Sequence, residues 1–170
     1  AVIDACFNLR TKLGGRTDDI VSVTVQGSAL LLARGDRPVR NERDARVSIH
    51  HCAACALLLG TAGVTEFANA TVFRPDIVAL RQKVGAELDA SLPDGAARVI
   101  IRLTSGETLS VIVMEAKGSL ADPLSDRDIE AKLRDCARLG GTDWDINRII
   151  DGVWRLDKLA DVSILMRAHG

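Results

Sequence analysis

Two short alternating segments joined by a tight turn constrain the fold of this chain more than any other feature. Apolar residues occupy every second position of Ala97–Leu103 and again of residues 108–114, and Ser105-Gly106 lies between them. Side chains alternate between the two faces of a strand, so both segments predict strands with one buried face. A connection this short predicts a β-hairpin. Residues 20–25 and, more weakly, residues 84–90 predict two further strands.

The rest of the chain is predicted to be mainly helical. Its apolar residues recur with helical periodicity, and glycine, proline and capping residues mark the ends of the predicted helices. The predicted helices are 1–13, 44–59, 76–83, 125–139 and 146–153, with short helical segments at 28–33 and 156–166. Asp44 is predicted to cap the second of these helices, and Ser125 with Asp128 predicts a capping box at the start of the fourth. We therefore expect an α+β fold: a four-stranded, mainly antiparallel sheet with helices packed on one face, plus C-terminal helices. Residues 1–170 are predicted to form a single domain.

Composition excludes several classes of function. The net charge is −1, aromatic residues make up only 3% of the 170 residues, and there is no Tyr. A nucleic-acid binder needs a basic face or aromatic stacking platforms, so we expect no nucleic-acid partner. The longest apolar run, residues 52–59, is too short to cross a bilayer, which predicts no membrane partner. Four scattered Cys favour a reducing, cytoplasmic location.

The segment His50-His51-Cys52-Ala53-Ala54-Cys55 invites comparison with a zinc or redox site. Zinc needs ligands that converge from several directions, and no second Cys/His pair exists to complete a tetrahedral site. A reactive Cys pair lies at a helix N-terminus, whereas Cys52 lies about two turns inside the predicted helix. We therefore expect neither a metal nor a cofactor. A zinc or redox module remains an alternative.

The same helix carries the candidate binding residues. By helical geometry Ser48, His51 and Cys55 share one stripe, and His50 points about 100° away from His51. Imidazole can hydrogen-bond or carry charge near neutral pH, and Arg46 can pair with a carboxylate. We predict Arg46, Ser48 and His51 as substrate-binding residues; a first-turn surface arginine, a helix back-bond and a core histidine are their structural alternatives.

The order of motifs along the chain resembles the MmgE/PrpD family. Residues 44–60 resemble the family's ARxSxxYxxAxALxxG helix. Further similarities follow in sequence order at Phe73-Arg74-Pro75-Asp76-Ile77, Lys83-Val84, Thr104-Ser105-Gly106-Glu107, Pro123-Leu124-Ser125 and Ile129-Glu130-Ala131-Lys132-Leu133. The resemblance covers nearly the whole chain. It departs at His51, where the family usually has Tyr, and at His50, where a hydrophobic residue is frequent.

The resemblance implies a function. The family includes 2-methylcitrate dehydratase, cis-aconitate decarboxylase and iminodisuccinate epimerase, and its members pair a helical N-terminal domain with a smaller α+β domain. This chain resembles the smaller, lid-like domain. Most residues implicated in catalysis belong to the helical domain, so the resemblance implies no catalytic residue in this chain. The resemblance thus implies the C-terminal domain of a lyase or isomerase that acts on a small polycarboxylate, inactive by itself. We expect the full-length protein to be a homodimer.

A self-contained, non-catalytic ligand-binding or oligomerisation module is the alternative function. If the chain is instead the domain of a larger enzyme, helices from about residue 142 to 170 are expected to present apolar faces that a missing helical domain covers. Ile146, Ile149, Ile150 and Val153 form one such stripe, and Val2, Cys6 and Leu9 are expected to form another. Exposed stripes of this kind favour association.

Overall fold

The computed structural model of the chain describes residues 1–141 and 143–166. The chain divides into two compact units, Ala1–Asp122 and Pro123–Gly170. The prediction that residues 1–170 form one domain of a larger enzyme stays a prediction. In the part of the chain that is described, no helix is both long and apolar enough to cross a membrane.

A four-stranded sheet forms the centre of the first unit. Its strands are β1 (Ile20–Gly27), β2 (Val84–Leu88), β3 (Ala97–Leu103) and β4 (Thr108–Val113). The spatial order is β2-β1-β3-β4, with β1 parallel to β2 and the other pairs antiparallel. This confirms the predicted α+β class, the mainly antiparallel sheet and the β3–β4 hairpin.

The helices of the first unit bury one face of this sheet. They are α1 (Val2–Leu13), α2 (Ala29–Gly35), α3 (Glu42–Ala45), α4 (Ile49–Leu59), α5 (Asn69–Val72) and α6 (Pro75–Arg81). Helix α1 packs against α4, β3 and β4, and α4 also contacts α6 and β2. The core draws on both layers, with Leu9 of α1, Leu57 of α4 and Val99 of β3 fully buried.

The apolar stripe of α1 is part of this core. Val2, Cys6 and Leu9 are 7%, 0% and 0% exposed. The expectation that they form an exposed face was wrong, because α4 and the hairpin strands cover them within the first unit. Periodicity had identified which residues share a face, but it contains no information on what covers that face.

The second unit contains α7 (Asp126–Gly140), α8 (Ile146–Trp154) and α9 (Ser163–Met166). Ser125 and Asp128 form the predicted capping box at the start of α7. On α8, Ile150 is buried and Val153 is half-exposed, so the predicted stripe is partly covered within the unit. Residues 142 and 167–170 of the predicted helical segment lie outside the described residues, and packing on a further domain stays a prediction.

A side chain from α1 closes the C-terminal end of α4. The guanidinium of Arg10 donates hydrogen bonds to the carbonyl oxygens of Leu57 and, at 2.7 Å, Leu58. The last carbonyls of a helix have no intrahelical partner, so this donor satisfies groups that would otherwise need water. Gly60 then ends α4 with a φ of 71°, in the left-handed region that favours glycine.

Two glycine substitutions separate backbone strain from the contact with Arg10. Gly14 ends α1 in a similar left-handed conformation, but a Cβ there would meet nothing within 4 Å, whereas at Gly60 it would lie 2.8 Å from Arg10 Nε. We expect Gly14→Ala to lower the free energy of unfolding by about 1 kcal/mol. Gly60→Ala should lower it by about 1 kcal/mol more, because Arg10 must move. Urea unfolding of both variants measures this, and equal losses would contradict the role assigned to Arg10.

Candidate functional site

The helix predicted over residues 44–59 is interrupted before its middle. Helix α3 ends at Ala45, and α4 begins after Ser48. Asp44 was predicted to cap the long helix and does not, because Asn41 caps α3 by accepting a hydrogen bond from the Asp44 amide. The Ser48 hydroxyl donates to the Arg37 carbonyl at 2.9 Å instead of capping α4. This bond ties the start of α4 to the beginning of the loop that precedes it.

The three predicted binding residues have different environments. Arg46 is exposed, and within residues 1–141 and 143–166 its side chain makes no ion pair or hydrogen bond. Ser48 and His51 are each 0% exposed. The structure brings Ser48 and His51 into the interior of the first unit and leaves Arg46 at its surface, so the three do not converge on one open site in this geometry.

His51 is fully engaged by protein groups. Its Nε2 lies 2.8 Å from the Glu66 carbonyl oxygen, which makes this nitrogen the donor. Its Nδ1 is then the acceptor, and it faces an N–H of Arg81 at 3.4 Å. The ring of Phe67 packs edge-on at a centroid distance of 5.5 Å. These partners assign a neutral ring protonated at Nε2.

The electrostatics of the site favour the same neutral form. Burial lowers the pKa of His51, and the nearby Arg81 guanidinium lowers it further, against an opposing effect of the Glu66 carbonyl. Burial also raises the pKa of the neighbouring Cys55 thiol to about 12 and that of Cys52 to about 11. Because of these raised pKa values, both side chains remain protonated at neutral pH. A thiol acts as a nucleophile or a metal ligand only as the thiolate, so neither side chain is in its reactive form.

No cluster of metal-binding side chains accompanies them. Across the described ranges, no group of three His, Cys, Asp or Glu side chains is arranged to hold a metal ion. Cys52 and Cys55 are free thiols. Cys55 Sγ lies 3.3 Å from His51 Nε2 and is part of the buried core, whereas Cys52 is only partly buried.

His50 has partners that helical periodicity did not anticipate. Its Nδ1 lies 2.8 Å from the Val84 carbonyl oxygen at the start of β2. Its Nε2 lies 2.8 Å from a carboxylate oxygen of Asp36, the residue that ends α2. The side chain is 18% exposed and that of Asp36 is 49% exposed. His50 therefore connects α4 to two other elements.

Residues 37–47, which include α3 and which we call the arginine loop, carry a group of exposed arginines just before α4. Arg37, Arg40, Arg43 and Arg46 recur at every third position and are exposed, against the two acids Glu42 and Asp44. Sequence reasoning singled out only Arg46, although the three-residue spacing was a visible signal. Guanidinium groups bind carboxylates with two parallel hydrogen bonds, so an exposed group of them suits an anionic ligand.

An open cavity of about 500 Å³ lies at the base of this loop. Its lining comprises Leu30, Leu31, Arg34, Gly35, Arg37, Val47, Ile49 and Asp94. None of the predicted binding residues lines it. The cavity nonetheless adjoins the arginine loop at both ends, through Arg37 and Val47.

Comparison with known proteins gives one result. The protein-family model described as MmgE/PrpD C-terminal domain matches residues 1–156. No curated protein matched the chain.

The neutral state of His51 predicts how stability depends on pH. A ring held neutral in the fold but free to take a proton in the unfolded chain makes stability fall as the pH drops below about 6.5. Between about pH 7 and pH 5, the free energy of unfolding of the wild type should therefore fall by about 1–2 kcal/mol more than that of His51→Gln. Denaturant unfolding of both proteins at several pH values gives this difference, and their offset at pH 8 gives the cost of the substitution itself. Parallel curves would contradict the assignment.

Proposed function

Because the chain belongs to the MmgE/PrpD family as its C-terminal domain, we propose that it is part of an enzyme that acts on a small polycarboxylate. The reaction is a dehydration, a decarboxylation or an epimerisation, begun by removal of a proton next to a carboxylate. The observation that carries this proposal is the family match, which extends over residues 1–156 of 170.

Within that enzyme, the contribution of this chain is to hold substrate, and the base belongs to a helical domain supplied by the rest of the protein. The protonation states described above support this division. His51 is neutral but enclosed by Glu66 and Phe67, and Cys52 and Cys55 are protonated thiols. A general base must reach the proton that it removes, and His51 and Cys55 are buried while Cys52 is only partly exposed.

Arg46 is the proposed contact to a substrate carboxylate. Its guanidinium is exposed and has no partner among the described residues, and its neighbours in the arginine loop add positive charge. Ser48 and His51 are proposed to complete this site when the turn that carries Glu66 and Phe67 moves away from the His51 ring. Until then both side chains fix the start of α4, from which the loop projects.

The partners follow from the same proposal. The full-length protein is a homodimer in the cytoplasm, in which the helical domain faces the arginine loop across a substrate cleft. The reaction needs no metal and no cofactor, because abstraction of a proton next to a carboxylate is within reach of side-chain acid–base catalysis.

The first test is activity. We expect the 170-residue chain to give no turnover of 2-methylcitrate or cis-aconitate above a heat-treated control, because the proposed base belongs to the helical domain. The complete gene product should be active on a polycarboxylate of this class. Turnover by the chain itself would overturn the division of labour, and a complete protein that binds such acids without converting them would favour the non-catalytic module.

The second test is a pair of matched arginine variants in the complete enzyme. Arg46→Gln should lower kcat/KM by about 10- to 150-fold, the equivalent of the 1.5–3 kcal/mol expected of a hydrogen bond to a charged group. Arg43→Gln removes another exposed guanidinium from the same loop and should leave kcat/KM nearly unchanged. Thermal unfolding of both variants checks that stability is retained. Equal effects of the two substitutions on kcat/KM would show that Arg46 has no specific role.

A further inference from the structure

The two adjacent histidines of α4 meet opposite kinds of hydrogen-bond partner. His51 has one acceptor, the Glu66 carbonyl, and one donor, Arg81. A neutral imidazole satisfies that arrangement, since it has one N–H and one lone pair. His50 has an acceptor at each ring nitrogen, the Val84 carbonyl and the Asp36 carboxylate, both at 2.8 Å.

Neither neutral form of His50 satisfies both contacts. With the proton on Nδ1, the Nε2 lone pair faces the Asp36 carboxylate; with the proton on Nε2, the Nδ1 lone pair faces the Val84 carbonyl. Two acceptors at hydrogen-bond distance repel a lone pair, and only the imidazolium donates from both nitrogens. The geometry itself therefore distinguishes the charge of His50 from that of His51.

The position of these contacts gives the charge a mechanical role. Asp36 and Arg37 are consecutive residues at the beginning of the arginine loop. His50 holds the first through its carboxylate, and Ser48 holds the second through its carbonyl at 2.9 Å. The two bonds hold the beginning of the loop against the beginning of α4. The two ends of the segment 37–47 are therefore held close together.

In residues 1–141 and 143–166, the charged side chain bonded to the His50 ring is that of Asp36. The charged side chains described on the surrounding elements have other partners or are exposed. Lys83 donates to the Ile20 carbonyl, Glu87 accepts from Gln26, Arg81 donates to the Val72 carbonyl, Arg10 donates to the end of α4, and Arg34 of α2 is exposed. The proton on His50 is therefore coupled to one carboxylate.

We propose that the folded protein holds His50 as the imidazolium ion, and that this charged ring fastens the base of the arginine loop to β2, so that the order of the loop depends on the ring's proton. His50 is then a positioning residue for Arg46; this last step rests on the proposed function. Loss of the proton breaks the contact of His50 with either Val84 or Asp36. The arginine loop then becomes less ordered, and its guanidinium groups are held less firmly in place.

The experiment combines two measurements on the 170-residue chain. Ring nitrogen chemical shifts distinguish an imidazolium from either neutral tautomer, and His51 serves as an internal reference for the neutral form protonated at Nε2. Amide hydrogen exchange, corrected for intrinsic rates, gives protection factors for residues 37–47. Between about pH 5 and pH 8, the range in which histidine changes charge, both are followed together.

Asp36→Asn supplies the matched variant. An Asn amide donates to the Nε2 of a neutral ring while Nδ1–H still donates to Val84, so this variant needs no proton to keep both contacts. We expect wild-type loop protection to fall about three- to tenfold as His50 loses its proton, the range for a half-exposed charged hydrogen bond. Asp36→Asn should abolish that fall.

Two outcomes would overturn the proposal. One is a His50 ring that stays neutral throughout the pH range in the wild type, and the other is an Asp36→Asn loop that keeps the full pH dependence. If Asp36→Asn does not fold, the wild-type ring shifts still decide the charge of His50. Neither measurement uses turnover, so the two proposals are tested independently. The proposed function can be wrong while the role of His50 is right, and the role of His50 can be wrong while the proposed function is right.

Discussion

The close packing of α4 against α1 is the constraint on which the rest of the first unit depends. Ala53, Ala54 and Ala56 of α4 are fully buried, and side chains this small allow neighbouring elements to approach closely. Arg10 of α1 then satisfies the last carbonyls of α4. Because α4 is held along its length and at its end, its first turn has a fixed position, and the contacts of Ser48, His50 and His51 follow from that position.

The sheet and most helices could be predicted because their signals are local. Alternation over a few residues was enough for β3 and β4, and Ser125 with Asp128 marked the start of α7. The interruption between α3 and α4 could not be predicted in this way. It depends on a bond from Ser48 to Arg37, eleven residues earlier, and the periodicity of apolar residues contains no trace of such a contact.

The candidate site was predicted less well for a related reason. Ser48, His51 and Cys55 do lie together, as the helical stripe implied, but theirs is the covered face of α4. A sequence pattern states which residues share a face, and only the packing of other elements decides whether that face meets solvent. His50, which the pattern set aside, has the more unusual surroundings, because two acceptors from distant parts of the chain meet its ring.

The parallel pairing of β1 with β2 has a consequence for how the chain folds. Parallel neighbours need a crossover connection, and here that connection contains every element from α2 to α6, including the arginine loop and α4. Closing so long a connection costs more entropy than closing the β3–β4 hairpin, so the pairing of β1 with its neighbours is expected to be slower than the formation of the hairpin. Strand β1 pairs with β3 as well as with β2, and both pairings need this connection to be closed. The region that carries the candidate chemistry is thus also the part of the first unit whose closure completes the sheet.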